Sequence, residues 1–142
     1  MSLPSADELV QLPEIEKQWA VKATHHADIY FKLITSIDGK TLHLTPIDDE
    51  IYEDFKKSFP DFAVDVINED VMKSDEGKIS WREWIMKYEK KVNDYNFGTL
   101  LRKNASSDYT EENTILVTRM QFFAIEIARN KQGLNSYLVQ KK

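Results

Sequence analysis

Residues 119–131, Arg-Met-Gln-Phe-Phe-Ala-Ile-Glu-Ile-Ala-Arg-Asn-Lys, limit what this chain can become more than any other stretch. Met120, Phe123, Ala124, Ile127 and Ala128 recur at helical steps on one face, and Phe122 and Ile125 widen that stripe past half the circumference. A helix that is apolar on most sides belongs at the centre of its domain. Thr118 is placed to cap its start and Gly133 to end it. The remaining segments then read as what surrounds such a helix.

Upstream, Pro13 opens a long helix, with Glu14 and Glu16 at its positive end. Its apolar stripe runs through Ile15, Trp19, Ala23, Ala27, Tyr30, Leu33 or Ile34, and Ile37, and Asp38-Gly39-Lys40 ends it with Gly39 as the residue after the cap. Thr41–Leu44 alternates briefly, as an extended stretch would. Thr45-Pro46 reads as a cap and first helical residue for a helix carrying Ile47, Ile51, Phe55 and Phe59, which Pro60 stops. Asn68-Glu69-Asp70 can open a short helix, and Lys73–Lys78 reads as a polar loop around Gly77. Ser80-Trp-Arg-Glu83 has the form of a capping box, with Ile79 and Trp84 as its staple, for a helix through Ile85, Tyr88 and Val92. Residues 97–101 and the β-branched run Thr114–Val117 suit a small hairpin-like pair, with 104–112 as the loop between them. The expectation is a mainly α fold: a small helical domain of four or five helices, with at most a short two-stranded β element. Residues 1–12 read as a flexible lead-in, 13–133 as the single domain and 134–142 as a loose tail.

A chain of 142 residues suffices for one core, and its sixteen aromatic residues imply a core built on rings. Cysteine is absent, which removes disulfides, thiolate metal sites and cysteine nucleophiles. The first residues, Met-Ser-Leu-Pro-Ser-Ala-Asp-Glu, have neither the basic start nor the apolar run of a secretion signal, and no stretch approaches the ~20 apolar residues of a membrane span. The expected setting is therefore the cytoplasm, with access to the nucleus, and no membrane. Acids outnumber bases 24 to 19, for a formal charge of −5, and the bases are interleaved with acids, so direct nucleic-acid binding is not expected.

Little in the sequence carries reaction chemistry. Four isolated glycines make no phosphate-cradling loop. His25 and His26 are adjacent on a helix, so their side chains diverge by about 100° and cannot chelate together. The doublets of acids read as solvated charge. No catalytic, cofactor-binding or metal-binding residue is assigned. One polar cluster stands out: Tyr109, Glu111, Glu112 and Asn113 precede the second strand, and Arg119, Glu126 and Arg129 fall near one line on the apolar helix. They read either as an Arg-Glu-Arg set tying that helix to loop 108–113, or as a rigid patch that recognises a partner.

The same block carries a resemblance. Asn96-Phe-Gly-Thr-Leu-Leu-Arg102, Asp108-Tyr-Thr-Glu-Glu-Asn-Thr-Ile115 and Arg119-Met-Gln-Phe-Phe-Ala-Ile-Glu-Ile-Ala-Arg-Asn130 with Gly133 closely resemble the eukaryotic polysaccharide-biosynthesis-domain-containing protein family. Ala27-Asp-Ile-Tyr-Phe-Lys-Leu-Ile34 and Asp48-Asp-Glu-Ile-Tyr-Glu-Asp-Phe55 look like its earlier helices, so the similarity spans about 15–135. The resemblance implies a small helical fold, residence in cytosol and nucleus, and a role as a dedicated chaperone of newly made translation elongation factor 1A. The chaperone would act on that factor's GTP-binding domain at the ribosome. It supplies no catalytic residues. The alternative is an enzyme or accessory factor of polysaccharide biosynthesis, methyltransferase-like; it lacks a glycine-rich loop after a strand and room for a doubly wound sheet. On this expectation the chain is not an enzyme, and Tyr109, Glu111, Glu112, Asn113, Arg119, Glu126 and Arg129 touch the partner or shape the surface that does.

Overall fold

In the computed structural model, which describes residues 14–139, the apolar helix is central. Every residue from Phe122 to Asn130 is buried, so each direction around that helix meets another element. Thr118 caps it as expected: its hydroxyl accepts from the Gln121 amide at 3.1 Å, and Gln121 Oε1 accepts from the Thr118 amide at 2.8 Å. Gly133 follows its end at φ 78°, a conformation that favours glycine.

The order is α1 (Glu14–Ser36), a 3-10 turn (Gly39–Thr41), α2 (Asp48–Ser58), α3 (Glu69–Met72), α4 (Asp75–Met86), β1 (Gly98–Arg102), β2 (Thr114–Thr118), α5 (Arg119–Lys131) and a second 3-10 turn (Ser136–Leu138). The fold is mainly helical with one two-stranded antiparallel sheet, in which Gly98 faces Thr118 and Arg102 faces Thr114. The strand therefore reaches one residue past the expected 97–101 and takes in Arg102. Residues 65–67 add a brief rung, through the Val66–Asn104 bridge and the Ile67 amide on Lys103 O at 2.8 Å. Three alternate carbonyls of β1 are held by side chains: Gly98 by the Trp19 indole N–H (3.1 Å), Leu100 by the Tyr109 hydroxyl (3.4 Å) and Arg102 by Arg129 (2.8 Å).

α1 lies against β1, α2 against α5, and α4 packs its Trp81 and Trp84 into the core. Rings dominate there, as the aromatic count implies. Phe59 stacks on Trp81 at 4.3 Å and 17°, and Phe55 stacks on Trp81 at 5.7 Å and 27°.

Several boundaries differ from the sequence expectation. α4 begins at Asp75, not after Ser80, because Ser74 caps it: the Ser74 hydroxyl accepts from the Gly77 amide at 3.1 Å, with Asp75 and Glu76 in the first turn. Ser80 is thus an exposed mid-helix residue, and Ile79, 55% exposed, staples nothing. Gly77 is required there, since a Cβ would lie 2.3 Å from Val71 O. After Met86 the chain tightens into i→i+3 turns, with Tyr88 on Ile85 O at 3.0 Å, so the helix stops short of Val92 although Tyr88 and Val92 remain buried. α1 ends at Ser36. Gly39 is not left-handed; it lets the backbone pass close to α5, where a Cβ would sit 2.3 Å from Asn130 Oδ1. Residues 41–44 form no strand. α2 starts at Asp48, two residues after the expected Pro46, but Thr45 still caps the turn: its hydroxyl accepts from the Ile47 amide at 3.1 Å, and the buried Asp48 carboxylate accepts from the Leu44 and Thr45 amides (2.8 and 2.7 Å).

Residues 134–139 are not loose. Asn135 is fully buried, and Leu134 and Leu138 pack on the core. The lead-in 1–12, Pro13 and residues 140–142 lie outside the described residues.

Candidate functional site

Of the seven residues singled out in the sequence, two lie in the interior. Glu126 and Arg129 have no exposed side-chain surface. They are one helical turn apart on α5, and Arg129 Nη1 donates to Glu126 Oε2 at 2.7 Å. The third charged member is Arg102 at the end of β1, not Arg119: its Nη2 lies 3.3 Å from both Glu126 oxygens. The Arg-Glu-Arg reading therefore holds in kind but with a different arginine. The polarity of Arg102 was hidden in the sequence at the end of a β-leaning run.

Burying three charges is costly unless every polar atom finds a partner. Here Tyr30 Oη donates to Glu126 Oε1 at 2.8 Å, and Asn135 Nδ2 donates to the same oxygen at 3.1 Å. Arg129 Nε donates to Val64 O at 2.6 Å, and its Nη2 donates to Arg102 O at 2.8 Å. Asn135 Oδ1 accepts from Arg102 Nη2 at 2.9 Å, and Asn130 Nδ2 donates to Tyr30 Oη at 3.2 Å. Arg102 Nε alone of these groups has no partner. Burial would raise the Glu126 pKa, but the Arg102 and Arg129 guanidinium groups hold its carboxyl down at about 2. Burial and then the Glu126 charge push the Tyr30 hydroxyl well above the usual phenol range.

The loop residues divide. Tyr109 packs its ring edge-on to Phe31 (6.2 Å) and beside Arg102 (5.9 Å). Asn113 pins the loop, donating to Asn104 O and Asp108 O and accepting from the Asn104 amide. Glu111 and Glu112 are exposed. So Tyr109 and Asn113 shape this surface, while only the two glutamates stand open to solvent.

Arg119 lies apart from the network, exposed at the start of α5 with its guanidinium 5.3 Å from the Phe123 ring centroid. It borders a groove of about 430 Å³ between α1, the start of β1 and the start of α5. Trp19, Ala23, Phe122 and Phe123 supply apolar walls, Phe97 projects with 60% of its surface exposed, and Lys22 and Arg119 supply charge. His26 stands edge-on to Phe122 at 5.4 Å; burial, then Arg119, lowers its pKa. The groove is joined to the buried network through one ring pair, Tyr30 edge-on to Phe122 at 5.1 Å. The network thus fixes the groove's floor. Sequence reading found Arg119 but missed this groove, because Trp19 and Phe97 are 78 positions apart in the chain and meet only through the fold.

Among the described residues no three His, Asp or Glu side chains gather as a metal site would require, and no helix is long and apolar enough to cross a membrane.

Known proteins place this architecture. A mouse protein named Protein PBDC1 is 51% identical over 123 residues, covering 87% of this chain and 62% of its own length. The human Protein PBDC1 is 48% identical over 135 residues, covering 95% of this chain and 58% of its own length. The chain therefore spans about six-tenths of the length of these mammalian relatives. A PBDC1 homologue from Saccharomyces cerevisiae is 47% identical and matched over the full length of both chains. A solution NMR structure of a Saccharomyces cerevisiae protein, 47% identical, superposes with a TM-score of 0.84 over all of both chains. The family described as PBDC1 protein matches residues 15–140, which takes in α5, the hairpin and the buried Arg-Glu-Arg network together. On this evidence of sequence and fold alike, the chain belongs to the PBDC1 family, the polysaccharide-biosynthesis-domain-containing proteins.

Proposed function

We propose that this chain is a binding module for a protein client, and that the client is newly synthesised translation elongation factor 1A, whose GTP-binding domain it holds during folding. The observation that carries the binding reading is the groove between α1, β1 and α5. It presents an exposed phenylalanine, an indole and an arginine on a floor fixed by a fully buried ion network. Aromatic and arginine side chains on a rigid support are the groups that dominate protein recognition. The client is the one implied by the family resemblance, with the cytoplasm as the setting, the nucleus as a second location and the ribosome as a neighbour.

Nucleotide binds the folded client and draws the equilibrium toward it, so a chaperone acting before that point must prefer the nucleotide-free domain. Capture of elongation factor 1A during cell-free translation tests this. Phe97→Asp with Arg119→Ala is expected to abolish capture with the fold unchanged by circular dichroism. Charge reversal at Glu111 and Glu112 tests the exposed loop separately. If the double variant captures the client as well as the parent, the groove does not carry the contact. Tight calorimetric binding of S-adenosylmethionine or a nucleotide sugar would replace this reading with an enzymatic one.

A further inference from the structure

A second groove, of about 590 Å³, lies on the β2 side of the hairpin, between that strand, α4 and the segment before β1. Its floor is apolar, built from Met72, Ile85 and Leu116. Three cations line it, Lys73, Lys78 and Arg82, and no acidic residue does. That is unusual for a chain with 24 acids against 19 bases. Several lysines elsewhere on the surface are paired with acids, Lys56 with Glu53, Lys87 with Asp54, Lys91 with Glu50 and Lys131 with Asp49. Among the described residues the side chains of Lys78 and Arg82 make no ion pair or hydrogen bond. At the rim Met86 and Ile79 are 53% and 55% exposed, so apolar surface continues out of the groove along the same helix.

Unmatched cations over a low-dielectric floor favour a ligand that brings both carboxylates and apolar side chains. We propose that this groove docks an acidic amphipathic segment of another protein, its apolar side chains against Ile85, Leu116 and Met86 and its carboxylates on Lys78 and Arg82. The mode is side-chain recognition and not strand addition. Lys73 Nζ already donates to the Leu116 carbonyl at 2.8 Å, and Gln121 already holds the Thr118 amide at 2.8 Å, so the outer edge of β2 is engaged at both positions. A nucleic acid fits the same cations less well. Trp81 is buried and offers no stacking face, and the net charge of −5 opposes a phosphate backbone at long range. This inference concerns a different face from the Phe97 groove and does not depend on the identity of the client.

The test uses fluorescence anisotropy with three labelled probes: a synthetic helical peptide with leucine on one face and glutamate on the other, the same peptide with glutamine for glutamate, and single-stranded RNA of equal length. The glutamate peptide is expected to bind about tenfold more tightly than the glutamine peptide, as a few exposed charge pairs would give. Lys78→Glu with Arg82→Glu, both exposed and therefore tolerated by the fold, is expected to remove that preference. Amide NMR shifts on adding the peptide should fall within 78–86 and 116–121. Equal binding of the two peptides, preference for RNA, or shifts confined to other residues would overturn the proposal. No elongation factor enters this assay, so failure here leaves the client reading standing, and failure of client capture leaves this one.

Discussion

The Tyr30 hydroxyl donates to Glu126 Oε1 at 2.8 Å across 96 positions of sequence and accepts from Asn130 Nδ2 at 3.2 Å, which ties the long first helix to the central one inside the core. The same ring stands edge-on to Phe122, so one side chain serves both the buried charge and the groove floor. Tyr30→Phe keeps the ring and deletes both bonds, leaving Asn130 Nδ2 without its acceptor at this site. A loss of about 1–3 kcal/mol is expected, because a buried polar group is left unsatisfied. Urea unfolding of the variant measures it, and an unchanged midpoint would refute the role given to these bonds.

Among the described residues Glu126 is the only anion paired with the two buried guanidinium groups. Glu126→Gln leaves both cations uncompensated, and a loss of about 3–5 kcal/mol is expected from thermal or chemical unfolding. Replacing the set with apolar residues of similar volume is expected to recover most of that loss.

The same carboxylate sets an acid limb. Its folded pKa of about 2 lies below its ordinary value of 4.5. The stabilisation is therefore complete above 4.5 and is lost as pH falls toward 2. Between those values the parent's urea midpoint is expected to fall more steeply than that of Glu126→Gln; parallel curves would show that Glu126 does not set this limb.

Two glycines are expected to respond differently to alanine. Gly133→Ala places a side chain at φ 78° and is expected to cost about 1 kcal/mol in backbone strain. Gly39→Ala drives a methyl to within 2.3 Å of Asn130 Oδ1, an atom that also accepts from Asn135. It is expected to cost more, about 1–3 kcal/mol, because the network must shift. Unfolding measurements in which Gly133→Ala costs more would reverse that ranking.

Asn135→Ala probes the segment expected from sequence to be loose. Asn135 is fully buried and bonds Arg102, Glu126 and Asn130. Its loss is expected to lower stability by about 1–3 kcal/mol and to raise hydrogen exchange through residues 134–138.

What the sequence made legible was local. The pattern of α5, its cap at Thr118, its end at Gly133 and the pairing of 97–101 with 114–117 all depend on residues a few positions apart, or on two adjacent strands. What it concealed depends on distance. Arg102 reads as the end of an apolar run until Glu126 is placed beside it, and Asn135 reads as tail until Arg102 is there to receive it. The misplaced start of α4 has another cause. The cap is local, the Ser74 hydroxyl on the Gly77 amide with Asp75 and Glu76 behind it, but the polar composition of Lys73–Lys78 makes that stretch read as a loop and leaves Ser80 as the start.

The buried network gathers Tyr30, Val64, Arg102, Glu126, Arg129 and Asn135; its three charges lie in the second half of the chain, but the Tyr30 hydroxyl and the Val64 carbonyl that help satisfy them lie in the first. A fragment ending before α5 would carry an arginine with nowhere to go. A backbone cut in the exposed 106–108 stretch would part Arg102 from Glu126, and the two pieces are expected to stay joined through that buried pair, with co-elution on gel filtration as the check.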